Sequence, residues 1–503
     1  MDEHLKLFQY LSQYEDFIKS PDYLDPNVSW VLENDKVYYN YTPINNGDNG
    51  QVKPYESEYL TMELLEEGKL TFARLLGKDV MYSTDNGNTW TEIDNGFESI
   101  TEGDVSNLVY TPTFPAGTKV LWKSNIDKSL IGASPIEGMD MIGVFGSTCN
   151  YNLSGNIMSL IYGDNYATNS ELIIDGVSLP IPFYGMFGML NTMIYGEYDG
   201  TMSYPGVVDA TNLILPAMTL TDSCYSFMFY LCTNLKYAPE LPATTLAEGC
   251  YQHMFSYCTS LTTAPELPAT KLASSCYYGM FANCPSLTTA PALPATTLAT
   301  YCYRGMFQGC TSLTTVPELP ATTLTTYCYS LMFSGCINLT TAPALPATTL
   351  ADSCYASMFE GCTSLTSAPE LPATTLNDIC YASMFEGCTS LTTAPALPAT
   401  TLAQSCYSSI FKGCTSLTTA PALPATTLVY GCYRYMFQGC TNLNDITILA
   451  IDISASSCLS DWVSGVASTG TFTKHPDMNS LPTGTSGIPS GWTVVDCHVG
   501  SDD

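Results

Sequence analysis

Apolar and polar positions in the second half of this chain recur on a 26-residue beat. "CYASMFEGCTSLTTAPALPATTL", Cys380 to Leu402, returns almost letter for letter from Cys354 and again from Cys406. Cys224, Cys250, Cys276, Cys302, Cys328, Cys354, Cys380, Cys406 and Cys432 each precede a Tyr, and a second cysteine follows in every unit, from Cys232 to Cys440. A fixed period of this size predicts a solenoid, in which each unit buries its apolar face only against its neighbours. Cys458 keeps the phase but in altered surroundings, "CLSDWVSGV", which read as a terminal unit. At the other end "YGMFGMLN" (184–191) holds the Met186-Phe187 pair, set ahead of Met228-Phe229 by one period plus an insertion, and reads as the opposite cap.

Within a unit, Tyr381, Met384 and Phe385 stand at i, i+3, i+4 and predict one face of a short helix. An Asp, Ser or Thr just ahead suits an N-cap. Gly387 and its counterparts, with Asn283 in one unit, suit a left-handed helix end. "SLTTA" predicts a short strand with Leu391 and Thr393 on one face, stopped by Pro395 because proline donates nothing to a ladder. One short strand and one short helix per unit is the leucine-rich-repeat plan. Phe385, Cys388, Leu391 and Ala394 fall at three-residue steps before a Leu-Pro pair, as do Phe411, Cys414, Leu417 and Ala420. This run resembles the BspA-type leucine-rich repeat over roughly 213–449, with an extra Pro and a longer unit. The resemblance implies surface-exposed recognition or adhesion and no catalysis.

Ahead of the array the pattern changes. Residues 3–19 predict an amphipathic helix with Leu5, Phe8, Leu11, Phe17 and Ile18 near one stripe, a segment that needs a partner to stand in water. "VSWVLENDKVYYNY", which holds Trp30, predicts a hairpin. Alternating segments from Glu58 to about Lys123, parted by Gly, Asn and Pro, predict a small antiparallel β-sandwich. The expected fold is multidomain and mainly β with short helices. Residues 1–50 form an attachment segment, 51–130 the β-sandwich, and 131–212 a transition and N-terminal cap. The nine-unit solenoid follows at 213–449 and a C-terminal cap at 450–503.

Charge then narrows the partners. The formal net charge is −31, and only 13% of residues are charged. Nucleic acid and anionic lipid are thereby disfavoured, since both need clustered Lys and Arg. Residues 1–212 hold 30 Asp and Glu against 10 Lys and Arg, whereas 213–449 hold 11 against 5, so the array itself is near neutral. "MDEHLKLFQYLSQYEDFIKS" does not read as a secretory signal, and no run of 18 apolar residues predicts a membrane span. The expectation is retention in the cytoplasm or release inside an assembled virus particle.

The sharper chemistries find little support. As metal ligands the cysteines lack helpers, because of four His only His253 lies in the array, and C-x7-C misses zinc-site spacing. As disulfides, the two cysteines of a unit flank the predicted helix, and equivalent cysteines of successive units point in parallel. Small apolar filler with a weak thiol donor is the expected role. "STDNGNTW", Ser83 to Trp90, matches the Asp-box pattern of sialidase propellers but occurs once, and residues 1–212 contain a single arginine, Arg74. A hairpin with an Asn-Gly turn is the expected reading. Threonine rows ("LTTA", "ATTL") invite an ice-binding reading, yet Thr is also the polar residue best suited to an exposed strand. No phosphate loop, catalytic triad order or paired carboxylates stand out, and no cofactor is implied.

Variation inside the repeats is more informative. The residues flanking Cys-Tyr change freely while the apolar positions hold. Tyr301, Arg304, Tyr327, Tyr430, Arg434 and Tyr435 occupy these variable positions. Glu240, Glu266, Glu318 and Glu370 alternate with Ala along a second row. A constant frame with variable Tyr and Arg has the character of a recognition surface, with drift at unconstrained positions as the alternative. The whole layout resembles fibre or decoration proteins of tailed phages of gut anaerobes. That resemblance implies a non-enzymatic virion structural protein, a head or tail fibre, mounted through its N-terminus on other virion proteins. It would self-associate as a homo-oligomer, trimeric in the fibre reading, and bind a host-surface glycan or protein. A bacterial cell-surface adhesin is the alternative, with glycosidase and ice-binding functions behind it.

Overall fold

A computed structural model describes residues 28–33, 36–41, 58–74, 77–93, 110–126, 142–174, 177–179, 181–190 and 203–497. The chain divides into two compact units, Met1–Ser57 and Glu58–Asp503. In the first, strands β1 (Val28–Glu33) and β2 (Lys36–Tyr41) pair antiparallel from Glu33↔Lys36 to Val28↔Tyr41, which places Trp30 opposite Tyr39. The helix expected over 3–19, with Leu5, Phe8, Leu11, Phe17 and Ile18, lies outside the described residues.

The second unit begins with strands β3 (Leu60–Leu64), β4 (Leu70–Arg74), β5 (Gly77–Ser83), β6 (Thr91–Glu92) and β7 (Lys119–Ile126). It continues with β8 (Gly143–Ser147), β9 (Tyr151–Asn156), one short helix α1 (Ser159–Tyr162), the two-residue pair β10 (Ile173–Ile174) and β11 (Val177–Ser178), and β12 (Val207–Ile214). A six-stranded sheet has the order β12-β9-β3-β7-β5-β6, and β4 pairs with β8. Trp122 of β7 packs on Phe72 of β4 and Phe145 of β8, with ring centroids 6.3 and 5.0 Å apart, so the two sheets form layers over one core. The larger sheet is mixed, because β12 runs parallel to β9. The reason lies downstream: β12 bridges in parallel, Asp209↔Tyr237, onto the first coil of the array, and every coil runs in the same sense. Packing thus joins what the sequence divided at 130 and 212, since β9 and β12 complete the sheet begun by β3.

In the array the expected helix does not form. Residues 377–388 run as consecutive turns in which alternate N–H groups have different destinations. The N–H groups of Cys380, Ala382, Met384, Glu386 and Cys388 donate three residues back, at 3.1–3.4 Å. Those of Ile379, Tyr381, Ser383, Phe385 and Gly387 instead donate into the next coil, to the carbonyls of Gln404, Cys406, Ser408, Ile410 and Lys412, at 2.7–3.0 Å. Side chains consequently point two in, two out. Cys380 and Tyr381 are buried, Ala382 and Ser383 lie outward, Met384 and Phe385 are buried, and Glu386 and Gly387 lie outward. A repeat of four closely imitates the i, i+3, i+4 spacing of a helix face, which is why the pattern read as helical.

The expected strand shrinks as well. Parallel pairing is confined to single residues such as Ser367↔Thr393 and Thr375↔Thr401, because Pro395 and Pro398 remove two donors from this limb. Leu391 is buried and Thr393 exposed, so they do not share a face.

Stacking coils align like residues into columns. Phenylalanine rings run from Phe187 through Phe229 to Phe437 and end on Trp462, with centroids 5.3–6.1 Å apart. Phe145 stacks on Phe187 at 5.7 Å, so the interior is continuous from the β-layers into the solenoid. Residues 181–190 supply the first partial coil. Phe183, Gly185 and Phe187 donate to Cys224, Ser226 and Met228, the same forward pairing lengthened by the insertion between the two segments. At the far end winding continues past 449. Phe437 donates to Trp462, and β13 (Asp445–Ile448), β14 (Thr471–Lys474) and β15 (Thr493–Asp496) close the coil as a parallel sheet.

Two kinds of substitution probe this architecture. Leu391→Ala deletes a fully buried side chain and is expected to cost about 2–5 kcal/mol in urea denaturation. At Gly188 an added Cβ would run into the Tyr230 carbonyl of the next coil, whereas at Gly387 (φ 73°) it would meet only ordinary contacts. Gly188→Ala should therefore destabilise more than Gly387→Ala, which costs about 1 kcal/mol for the left-handed backbone alone. Equal losses would contradict the docking of this first coil.

Candidate functional site

The same three turn positions of every coil hold positive φ, whatever residue stands there: Ile379, Ser383 and Gly387 at 59°, 54° and 73° in one coil, Ser405, Ser409 and Gly413 in the next. A residue with a Cβ pays about 1–2 kcal/mol in this region, and a bulky one is an outlier. Glycine escapes this cost and serine is the smallest polar side chain to bear it, and the later coils mostly use these two. The early coils do not. Phe227, His253, Tyr257, Tyr301 and Tyr327 occupy left-handed positions at φ 51–61°, as does Tyr435 near the end. Strain held at specific places points to a role for the side chain rather than for the backbone.

These side chains lie half-buried on the turn face and touch one another across coils. Phe227 contacts Tyr184 at 5.2 Å, Tyr230 at 5.4 Å and His253 at 5.0 Å, and His253 contacts Tyr278 at 4.8 Å. Tyr184, Gly185, Met189, Phe227 and Tyr230 line an open hollow of about 170 Å³. Burial lowers the pKa of His253, so its ring is neutral at pH 7. Farther along, the Arg304 guanidinium lies 5.3, 5.6 and 5.4 Å from the rings of Tyr278, Tyr301 and Tyr327, and Tyr301 stacks on Tyr327 at 4.9 Å. Five coils on, Arg434 sits 4.6 Å over Tyr435 and donates to its hydroxyl at 2.9 Å, with Tyr430 exposed in the same coil.

The structure therefore brings Tyr301, Arg304 and Tyr327 together, and separately Arg434 and Tyr435. Glu240, Glu266, Glu318 and Glu370 are exposed on the other limb of the coil, beside the Leu-Pro pairs. Phe227, Tyr230, His253, Tyr257 and Tyr278 were not singled out from the sequence. A signal is present for Phe227, His253 and Tyr257, which stand where later units mostly carry Ser or Gly, and not for Tyr230, whose later counterparts are Glu360, Glu386, Lys412 and Gln438.

The other candidate chemistries resolve into structural roles. All the cysteines are free, and all but Cys497 are buried. The second thiol of each unit donates to a phenylalanine carbonyl one coil back, as Cys388 does to Phe359 at 3.1 Å. Among the described residues no group of three His, Cys, Asp or Glu is placed to hold a metal, and no helix is long and apolar enough to cross a membrane. Asp85 accepts from Ser83 Oγ and from the Thr89 N–H and hydroxyl, and these bonds hold its carboxyl down to about 2. It locks the β5–β6 turn and stays ionised. Lys123 lies over Trp90 and pairs with Asp164, which also accepts from Tyr59, so this cluster is satisfied within the fold. Threonine hydroxyls such as Thr389 and Thr392 donate to carbonyls of the preceding coil.

The architecture is that of a solenoid whose turn face carries a strip of aromatic side chains. Residues 221–366, 277–418 and 352–461 match the BspA type leucine rich repeat region, in six copies that together span just under half of the chain. The chain thus carries a BspA-type leucine-rich repeat region, a kind of repeat that typically serves in non-enzymatic binding. No curated protein matches the chain.

Burial raises the thiol pKa values above 9.0, to about 12 for Cys380 and about 11 for Cys328, and raises the stacked tyrosines likewise. The folded array thus keeps its protons to higher pH than the unfolded chain. Its stability should be full below about pH 9 and fall as pH rises towards 12. A thiol reagent at pH 8 should leave the buried cysteines unmodified until denaturant is added, without any need for reductant. Stability unchanged up to pH 12, or rapid labelling of the native array, would contradict this.

Proposed function

We propose that this chain is a non-catalytic recognition protein whose solenoid presents its turn face to a cell surface. One observation carries the reading: coils with interchangeable interiors hold Phe, His and Tyr at strained left-handed positions in some coils, where Ser or Gly serves in others. The repeated frame supplies a stiff platform, because every coil is tied to the next through backbone hydrogen bonds. Stiff aromatic contacts lose little freedom on binding. The BspA-type repeat supports the same reading.

In the finer form of the proposal the protein is a head or tail fibre of a phage particle, binding a host-surface glycan or protein. Residues 1–50 mount it on other virion proteins and promote self-association, trimeric in this form. The sequence layout and the separate Met1–Ser57 unit support this form. Display on a bacterial cell surface is the second reading, favoured by the family of the repeats.

Binding of purified full-length protein to intact candidate host cells tests the proposal. Replacing both Tyr301 and Tyr327 by Ser should weaken binding at least about tenfold while leaving a cooperative melt with only a small drop in melting temperature, because Ser275 and Ser353 hold the same backbone in the neighbouring coils. Undiminished cell binding by that variant would overturn the turn-face assignment. For the mount, virions carrying a chain that lacks residues 1–50 should lose the protein, and full occupancy would refute it.

A further inference from the structure

We infer that the two tyrosine–arginine nests, at Arg304 and at Arg434, bind a glycan carrying isolated carboxylates, one acidic sugar to each guanidinium. The inference rests on the turn face being the contact surface and adds the chemistry of what it contacts.

Arg304 is an unusual cation for this chain. Acidic residues outnumber basic ones 47 to 16, yet among the described residues its side chain forms no ion pair and no hydrogen bond, and its buried Nε has no acceptor. Three tyrosine rings hold it instead. Arg434 is a looser counterpart, with Tyr435 as its one ring and its one side-chain hydrogen-bond partner, and with the Asp461 carboxylate of the next coil acting on it from beyond ion-pair distance. A guanidinium fixed on aromatic faces keeps its fork of donors ready for a carboxylate.

The rings decide what surrounds that carboxylate. Tyr301 and Tyr327 lie within 10° of parallel, so each covers a face of the other. A partner meets ring edges, the positive part of the aromatic quadrupole, together with hydroxyls and guanidinium N–H groups. Such a surface suits a ligand rich in oxygen acceptors. Each nest holds one cation in an array that carries only five Lys and Arg between residues 213 and 449, too few to neutralise a closely charged polyanion. The fitting ligand is neutral and hydroxylated for most of its length, with acidic units set apart. A glycan with scattered uronic or sialic acids has that character, whereas an acidic peptide presents carboxylates close together.

The two arginines occupy the same position of their units, five coils apart. The tyrosine rings just before these arginines stand 5.7–6.2 Å apart from coil to coil, so the sites lie about 29 Å apart along the solenoid. Between them the turn face mixes small residues (Ala356, Ser357, Ala382, Ser383 and Ser408) with Leu331, Ile379, Glu360 and Glu386.

Calorimetric titration of the full chain provides the test, with an oligosaccharide holding one glucuronate in a neutral backbone and the same compound with its carboxyl reduced to the alcohol. The acidic compound should bind, and reduction should weaken it at least about tenfold, the loss of a charge-assisted pair. Arg304→Gln combined with Arg434→Gln should cause a similar loss. The comparison of the two sugars on unaltered protein does not depend on how the variants fold. Equal affinity for both sugars, or no binding of the acidic one, overturns the inference. A glutamate-rich peptide bound as tightly as the sugar would also overturn it, in favour of a protein partner. Should the acidic sugar fail while Tyr301→Ser with Tyr327→Ser still abolishes cell binding, this inference falls and the recognition reading stands.

Discussion

The alternation of backbone N–H groups is the constraint from which the rest of this molecule follows. Along each turn limb every second donor closes a tight turn, and the others reach the next coil. Tyr381, Phe385 and Gly387 pair forward with Cys406, Ile410 and Lys412, while Met384 and Cys388 pair back with Tyr381 and Phe385. No donor on this limb is left for an α-helical ladder. Side chains are forced into inward and outward pairs, and three positions per coil into the left-handed region. The inward pairs become columns of Cys, Tyr, Met (Ile410 in one coil) and Phe, while the outward pairs, like the exposed Glu/Ala row of the other limb, can vary without disturbing the core.

That division of labour explains how near-identical units can carry information. Changing an inward residue affects a column shared with coils above and below, as the Phe187-to-Trp462 line shows. Changing an outward residue alters the local turn face and the backbone strain there. Tyr327 and Tyr435 therefore stand at positions where strain can be held and contact made, on a platform that does not reorganise. The thiols fit the same economy: Cys388 fills a narrow column and satisfies the Phe359 carbonyl, a combination that Ala lacks.

Much of this was legible in the sequence because a solenoid repeats its physics. The regular beat, the buried columns, the single-copy Asp-box hairpin and the insertion before Met228 all follow from spacing. Other features were hidden for definite reasons. Period four and period 3.6 place Tyr381, Met384 and Phe385 alike, so turns passed for a helix. The proline pair 395 and 398 leaves only single bridges, so a strand was expected where none is sustained. β9 and β12 join β3 across long intervening segments, a non-local pairing that alternation alone does not reveal. The aromatic strip is hidden in the linear sequence, because Phe227, His253 and Tyr278 become neighbours only when coils are stacked.

The central claim is that the units pile into one continuous stack with a fixed rise per coil. The buried thiols allow a direct measurement. With Cys497 replaced by Ser, cysteines introduced at the exposed, equivalent positions Thr262 and Thr418 can be spin-labelled selectively. Those positions are six coils apart, so electron–electron resonance should give a narrow distance distribution centred near roughly 29 Å, the product of six coils and the usual inter-strand spacing. A broad distribution, or a mean far longer than this, would show separate units strung along the chain and would contradict the account.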